Sequence, residues 1–333
     1  MAKLKVFATR RLPEQGLEMA RQAAEVEIWP EATPPPYAVL LEKVRGVDGL
    51  LCLLTDQIDA PVMDSAGASL KVISQMAVGY DNIDVPAATA RRLPVGHTPG
   101  VLTETTADFA WALLMAAARR VVEGDAFTRH GRWKTWGPTL LMGPDVHGAT
   151  LGIVGFGRIG QAMARRARGF DMRVLYYDVE RRPDLEQAPA VAGGGVAWAD
   201  FETLLGEADF VTLHTPLNAQ TRHLIGAAQL QQMKPSAILI NTARGPLVDA
   251  EALYQALKNH TLAYAALDVT EPEPILMTSP LLELENVIIA PHMASASLQT
   301  RAKMATMAAA NLLAGLKGER LPDCVNPQVY AMA

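Results

Sequence analysis

The chain alternates short β-branched and apolar runs with longer stretches whose apolar positions recur at helical spacing. In the first hundred residues the runs at 3–8, 26–29, 49–54, 70–76 and 93–97 read as strands, with helices between them. The Pro-rich stretch 30–36 is a connection inside this alternation, because a strand precedes it and a helical pattern follows. A second alternation starts near residue 150, with strands expected at 151–155, 173–178, 209–215, 237–242, 264–269 and 287–290. Six strands separated by helices predict a doubly wound parallel sheet, and the first five predict a smaller α/β unit. Between the two lie an apolar helix expected over 103–120 and an aromatic stretch around Trp133, Trp136 and Pro138. A last helix, 297–316, is expected to pack back on the first unit.

Composition narrows the function classes. A length of 333 residues, half of them hydrophobic and a fifth charged, is natural for two domains. A net charge of -5 and no Lys/Arg-rich run argue against nucleic acid and acidic lipid as partners. Neither an export-type leader nor an apolar run of membrane-spanning length is evident, so a cytoplasmic location is expected. Cys52 and Cys324 are the two cysteines, too few for a disulfide framework or a Cys-rich metal site, and no His/Asp/Glu grouping has metal-site spacing.

The segment from Leu151 to Gly160 holds GxGxxG at Gly155, Gly157 and Gly160, after an apolar strand and before the helix-like 161–169. In that setting Gly155 allows a tight turn, Gly157 admits a pyrophosphate close to backbone, and Gly160 lets the helix approach the strand. Asp178 ends the next strand, 21 residues beyond the middle glycine, where a carboxylate binds the adenosine ribose hydroxyls. That favours NAD(H) over NADP(H). Arg181 and Arg182 follow closely and are the local feature that could favour a 2′-phosphate instead.

A hydride-transfer site of this kind also needs a cation for carboxylate and carbonyl oxygens, and a proton donor. Arg244, Glu273 and His292 each follow the carboxyl end of a predicted strand, where open α/β sheets bind ligands. Glu271 competes with Glu273, and six further histidines compete with His292.

At these residues the chain resembles the D-isomer-specific 2-hydroxyacid dehydrogenases. It carries VGYDNID (78–84), TPGVLTETTADFA (98–110), GFGRIGQ (155–161), NTARGPLVD (241–249), ALDVTEPEP (266–274) and PHMASAS (291–297) in that order. The resemblance implies two doubly wound, Rossmann-like domains: a flavodoxin-like substrate-binding domain from 1–100 and 293–333, and an NAD-binding domain over 101–292. It implies that Arg244 binds the substrate carboxylate and carbonyl, that His292 is the general acid, and that Glu273, chosen over Glu271 by its spacing from Asp268, orients His292. The backbone N–H groups of Val78 and Gly79 resemble the family's carboxylate-binding loop, and Leu54 lines the substrate pocket. Thr106, Arg158, Ile159 and Ser295 are implied as cofactor contacts, with Asp268 at the nicotinamide end. The resemblance also implies that His214, Pro216, Thr242 and Ala243 line the cofactor from strand ends. The finer resemblance is to glyoxylate/hydroxypyruvate reductases, with Leu102, Trp136 and Met293 as further pocket candidates. D-lactate, D-glycerate and phosphite dehydrogenases share much of the pattern, and an NADH-sensing corepressor-like scaffold is the rival from another class. Met293-Ala294 stands where Ile-Gly is common, and Ala265-Ala266 precedes Leu267-Asp268 where Gly is frequent. The helix 103–120 and the loop 132–138 are implied to join two subunits into a homodimer.

Overall fold

The computed structural model describes residues 3–187 and 195–331. It divides into two compact units, Met1–Leu102 with Ala296–Ala333, and Thr103–Ser295. The division falls a few residues beyond the expected 100/101 and 292/293, for local reasons. The helix Thr103–Ala118 begins the second unit, and the buried Asp268 holds the N–H groups of Met293 and Ala294, which keeps that turn with the same unit.

The first unit's described residues form a parallel sheet of β1 (Leu4–Ala8), β2 (Ala24–Ile28), β3 (Gly49–Cys52), β4 (Val72–Gln75) and β5 (Val95–Gly96), in the order β2-β1-β3-β4-β5. Successive side chains of a strand point to opposite faces, so a continuous apolar run feeds two cores. Phe7, Leu50, Cys52 and Ile73 pack on one face, while Val6, Ala8, Leu51 and Val72 pack on the other. The C-terminal helix Leu298–Leu316 closes the second face, its start capped by Ser297 accepting the Thr300 N–H at 3.1 Å. It lies so close to the helix Glu14–Ala23 that a Cβ on Gly16 would sit 2.5 Å from the Ala305 carbonyl oxygen.

The second unit's described residues form β6 (Thr150–Val154), β7 (Arg173–Tyr177), β8 (Val196–Trp198), β9 (Phe210–Leu213), β10 (Ile238–Asn241), β11 (Tyr264–Leu267) and β12 (Val287–Ile289). All pair in parallel in the order β12-β11-β10-β9-β6-β7-β8. Leu151, Ile153, Ile238 and Ile240 face one core, and Val154, Leu239 and Leu267 the other. Ala107, Ala110, Leu114 and Ala117 recur at helical spacing and set the helix Thr103–Ala118 against the first of these cores.

Two sequence expectations need correction. β8 was not among the six expected strands, because three residues with Ala197 and Trp198 exposed carry no burial pattern. The expected helix 103–120 ends at Ala118: Arg120 turns left-handed at φ +49°, and a separate helix, Val121–Arg129, follows. No described helix is long and apolar enough to cross a membrane.

Docking of the C-terminal helix through Gly16 has a direct test. Gly16→Ala forces backbone apart and is expected to lower stability by about 1–3 kcal/mol. Gly169→Ala, where a Cβ meets nothing within 4 Å, is expected to change stability by less than about 0.5 kcal/mol. Urea-unfolding midpoints of the two variants check this.

Candidate active site

The glycine turn follows β6. Gly155 adopts φ +92°, and a Cβ there would lie 2.7 Å from the His214 carbonyl carbon, so the turn and the loop after β9 pack backbone to backbone. Gly160 closes on the Gly155 carbonyl, whereas a Cβ on Gly157 would meet nothing within 4 Å. That open face lies at the start of the helix Arg158–Ala167, where Arg158 is exposed and Ile159 partly so. Unpaired N–H groups and the helix dipole attract an anion at such a place.

Asp178 stands at the end of β7, and its Oδ2 accepts the Phe156 N–H at 2.6 Å. Phe156 stacks on Tyr176 with ring centroids 4.0 Å apart, which fixes the turn against the sheet. Arg181 and Arg182 are already engaged. Arg181 pairs with both oxygens of Glu186 at 2.9 and 2.8 Å, and Arg182 pairs with Asp184 at 3.2 and 3.0 Å. Two buried hydroxyls at neighbouring strand ends, Thr215 Oγ1 and Thr242 Oγ1, have no hydrogen-bond partner among the described residues. Buried polar atoms are normally satisfied, so this pair fits a site built for a polar ligand. Thr215 was not among the expected contacts, and its position just beyond His214 at the end of β9 was the available signal. Thr106, buried in the first turns of its helix, the partly buried Ala243 and Ser295, and the exposed Pro216 belong to the same unit.

β10, β11 and β12 are adjacent in the sheet, and the loops after them bear the expected catalytic side chains. Arg244 follows β10 in a loop that Asn241 ties from within: Asn241 Oδ1 accepts the Ala243 N–H at 3.0 Å, and its Nδ2 donates to the Arg244 carbonyl at 2.8 Å. Asn241 is 1% exposed and was not singled out from the sequence. Gly245 lies against the loop after β11, where a Cβ would overlap the Thr270 carbonyl oxygen at 1.9 Å.

The two competing acids separate clearly. Glu273 Oε1 meets His292 Nδ1 at 2.5 Å, while Glu271 is held by Arg222 and by His223 Nε2 at 2.9 Å. Desolvation opposes the Glu271 charge, yet His223 and Arg222 outweigh it and hold its pKa below the usual carboxylate value. His292 itself is left-handed at φ +52°, uncommon for a residue with a side chain, and it begins a turn that Asp268 holds. The Asp268 carbonyl accepts the His292 N–H at 2.8 Å, its Oδ1 the Met293 N–H at 2.8 Å, and its Oδ2 the Ala294 N–H at 2.7 Å. Asp268, expected at the nicotinamide end, has 0% exposure and spends both carboxylate oxygens on backbone N–H groups.

In the first unit, Leu54 is partly buried beyond β3, in a loop folded around Asp56, whose Oδ2 accepts the Leu53 N–H at 2.7 Å and the Thr9 hydroxyl at 2.5 Å. Val78 and Gly79 are partly buried in the loop beyond β4. Of the other pocket candidates, Leu102 is partly buried in this unit, whereas Trp136 and Met293 of the second unit are 78% and 41% exposed. Among the described residues no group of three or more His, Cys, Asp or Glu side chains is placed to hold a metal ion.

His214 is partly buried at the end of β9, its Nε2 2.9 Å from Thr212 Oγ1. Desolvation pushes its pKa down from 6.5 to about 3, so the ring is neutral at working pH. The unfolded chain binds this proton near 6.5 and the folded protein does not, so stability is full above that pH and declines as pH falls toward 3. Urea unfolding at pH 7 and pH 5 is expected to show a loss about 1 kcal/mol larger for the parent protein than for His214→Gln. Equal losses would remove His214 from the account.

Comparison with known proteins places this geometry. Residues 111–294 match the family model described as "D-isomer specific 2-hydroxyacid dehydrogenase, NAD binding domain". A glyoxylate reductase of Korarchaeum cryptofilum is 55% identical over 98% of this chain and 97% of its own. A crystal structure of a Thermus thermophilus protein superposes with a TM-score of 0.90 at 49% identity, covering 97% of this chain and 100% of that one. The NADPH-dependent glyoxylate/hydroxypyruvate reductase of Sinorhizobium meliloti, solved with NADP and malonate, gives a TM-score of 0.85 at 31% identity and covers 98% of each chain. A 2.5 Å imidazole–carboxylate contact beside an arginine-bearing strand end, on a sheet with a dinucleotide turn, thus occurs in a chain that belongs to the D-isomer-specific 2-hydroxyacid dehydrogenases.

Proposed function

We propose that the protein reduces small 2-keto acids, glyoxylate and hydroxypyruvate first among them, to D-2-hydroxy acids with NADH in the cytoplasm. The observation that carries this reading is the His292–Glu273 contact, with Arg244 on the adjoining loop. The bound nicotinamide supplies the hydride. His292 donates the proton to the carbonyl oxygen through Nε2, since Nδ1 is engaged by Glu273, and that carboxylate offsets the imidazolium charge. Arg244 takes the substrate carboxylate and steadies the oxygen as negative charge develops on it. In the first unit, the N–H groups of Val78 and Gly79 are our candidates for binding a carboxylate, and Leu54 and Leu102 for an apolar contact suited to a small side chain.

The cofactor's phosphates fit the Gly157 face and the helix start at Arg158 and Ile159, and Thr106, Pro216, Thr242, Ala243 and Ser295 are its further contacts. NADH is favoured over NADPH because Asp178 repels a 2′-phosphate and both nearby arginines are paired with their own acids. The Sinorhizobium relative is NADPH-dependent, which makes this preference a property of these particular side chains. Val121, Val122, Trp133 and Trp136 are exposed on the second unit, and we assign them to the contact with a second copy in a homodimer.

Three outcomes are expected from purified protein. With glyoxylate and hydroxypyruvate, His292→Ala and Arg244→Ala lower kcat/KM by about a hundredfold or more, while the dissociation constant for NADH stays within about threefold. Glu273→Gln costs about ten- to a hundredfold in kcat and Glu271→Gln less than about threefold, and equal losses would contradict the division of labour between the two acids. For the cofactor, kcat/KM with NADH exceeds that with NADPH by about tenfold or more, and a preference for NADPH would overturn the role of Asp178.

A further inference from the structure

In the first unit, three successive carbonyl groups beyond β4 are each held by the protein. The Ala77 carbonyl accepts the Thr98 N–H at 2.9 Å, the Val78 carbonyl accepts from His97 Nδ1 at 2.9 Å, and the Gly79 carbonyl accepts from Gln75 Nε2 at 2.5 Å. The contact to Val78 requires the His97 proton on Nδ1. The peptide bonds of this segment are trans, and in a trans peptide the N–H points opposite to its own C=O. The N–H groups of Val78, Gly79 and Tyr80 are therefore turned away from the groups that hold the carbonyls. Among the described residues none of the three has a hydrogen-bond acceptor. Successive backbone N–H groups without an acceptor offer donors to an anion.

The two anchoring side chains are themselves fixed. His97 donates its own N–H to the Asp323 carbonyl at 3.1 Å, and its carbonyl accepts from Asn311 Nδ2 at 2.9 Å. The Tyr80 ring meets the His97 imidazole edge-on, with centroids 5.6 Å apart. Gln75 is 0% exposed, and its Oε1 accepts from Asn82 Nδ2 at 2.8 Å. Asn82 Nδ2 also reaches the Leu53 and Asp56 carbonyls at 3.1 and 2.8 Å. One amide network thus ties the loop bearing Leu54 to the loop bearing Val78 and Gly79.

We propose that His97 and Gln75 are positioning residues that lock the Val78 and Gly79 carbonyls, so that the N–H groups of Gly79 and Tyr80 face the substrate carboxylate beside that of Val78, whose peptide the Thr98 N–H holds. This rests on the reading of the 78–79 loop as the carboxylate site, and adds Tyr80 to it. Such a contact is made equally to substrate and transition state, so its loss raises KM and spares kcat.

The test compares His97→Leu, which loses the donor, with His97→Asn, whose Nδ2 occupies the place of Nδ1. Oxalate, a dicarboxylate without a reducible carbonyl, is titrated calorimetrically into the NADH-loaded protein, and KM and kcat for hydroxypyruvate are measured beside it. The leucine variant is expected to bind oxalate about tenfold more weakly and to raise KM by a similar factor, with kcat and NADH binding changed less than about threefold. The asparagine variant is expected to stay within about threefold of the parent in every constant. If His97→Leu does not fold, His97→Phe, which keeps a ring against Tyr80 and lacks the donor, gives the same comparison. Equal weakening by Leu and Asn, unchanged affinity in both, or no oxalate binding by the parent overturns the proposal. Parent protein that binds oxalate with the expected pattern yet reduces no 2-keto acid sinks the proposed function and leaves the positioning role standing.

Discussion

The carboxylate of Asp268 has no exposure to solvent, and two backbone N–H groups meet its two oxygens. Desolvation is the larger influence and raises its pKa, while the Met293 and Ala294 N–H groups and the nearby His292 oppose that rise. A buried charge is tolerated only where hydrogen bonds replace its water. The same bonds that make Asp268 tolerable pin the turn 292–294 and hold His292 at φ +52°. The turn that carries the His292 imidazole is thus tied to an aspartate with 0% exposure.

From that anchor the rest of the second unit's chemistry follows by sheet topology. Parallel strands end on one edge, so the loops after β10, β11 and β12 emerge side by side and carry Arg244, Glu273 and His292. The loops are tied within and to one another: Asn241 braces the arginine loop from inside, Gly245 of that loop fits closely on Thr270 of the acid-bearing loop, and Asp268 of the acid-bearing loop holds the turn after His292. The strand order reverses direction between β9 and β6, where doubly wound sheets open a crevice, and there the glycine turn, Asp178 and the unpaired Thr215 hydroxyl are found. Strand ends place Arg244, Glu273 and His292, and short loops set their directions.

Much of this was legible in the chain itself. GxGxxG followed by an acid 21 residues on, and titratable residues just past apolar runs, identify groups whose spacing is a matter of local geometry. His292 could be chosen from seven histidines because it alone follows the last strand of the sheet. What sequence left open was direction. The spacing from Asp268 singled out Glu273 as the partner of His292, but nothing in LDVTEPEP says that Asp268 folds inward or that Glu271 turns to Arg222 and His223. Asn241 was passed over because an asparagine at a strand end looks like ordinary turn chemistry until its two bonds are seen. β8 escaped notice as an edge strand with two of three side chains exposed, and the break at Arg120 as a left-handed residue that no glycine announces.

A crystal structure of the Asp268→Ala variant with bound NADH tests the central claim most directly. With both acceptors gone, the 292–294 turn is predicted to relax out of its left-handed start and carry the imidazole beyond hydrogen-bonding distance of Glu273. A variant in which His292 keeps a positive φ and its Nδ1 still meets Glu273 would contradict the account.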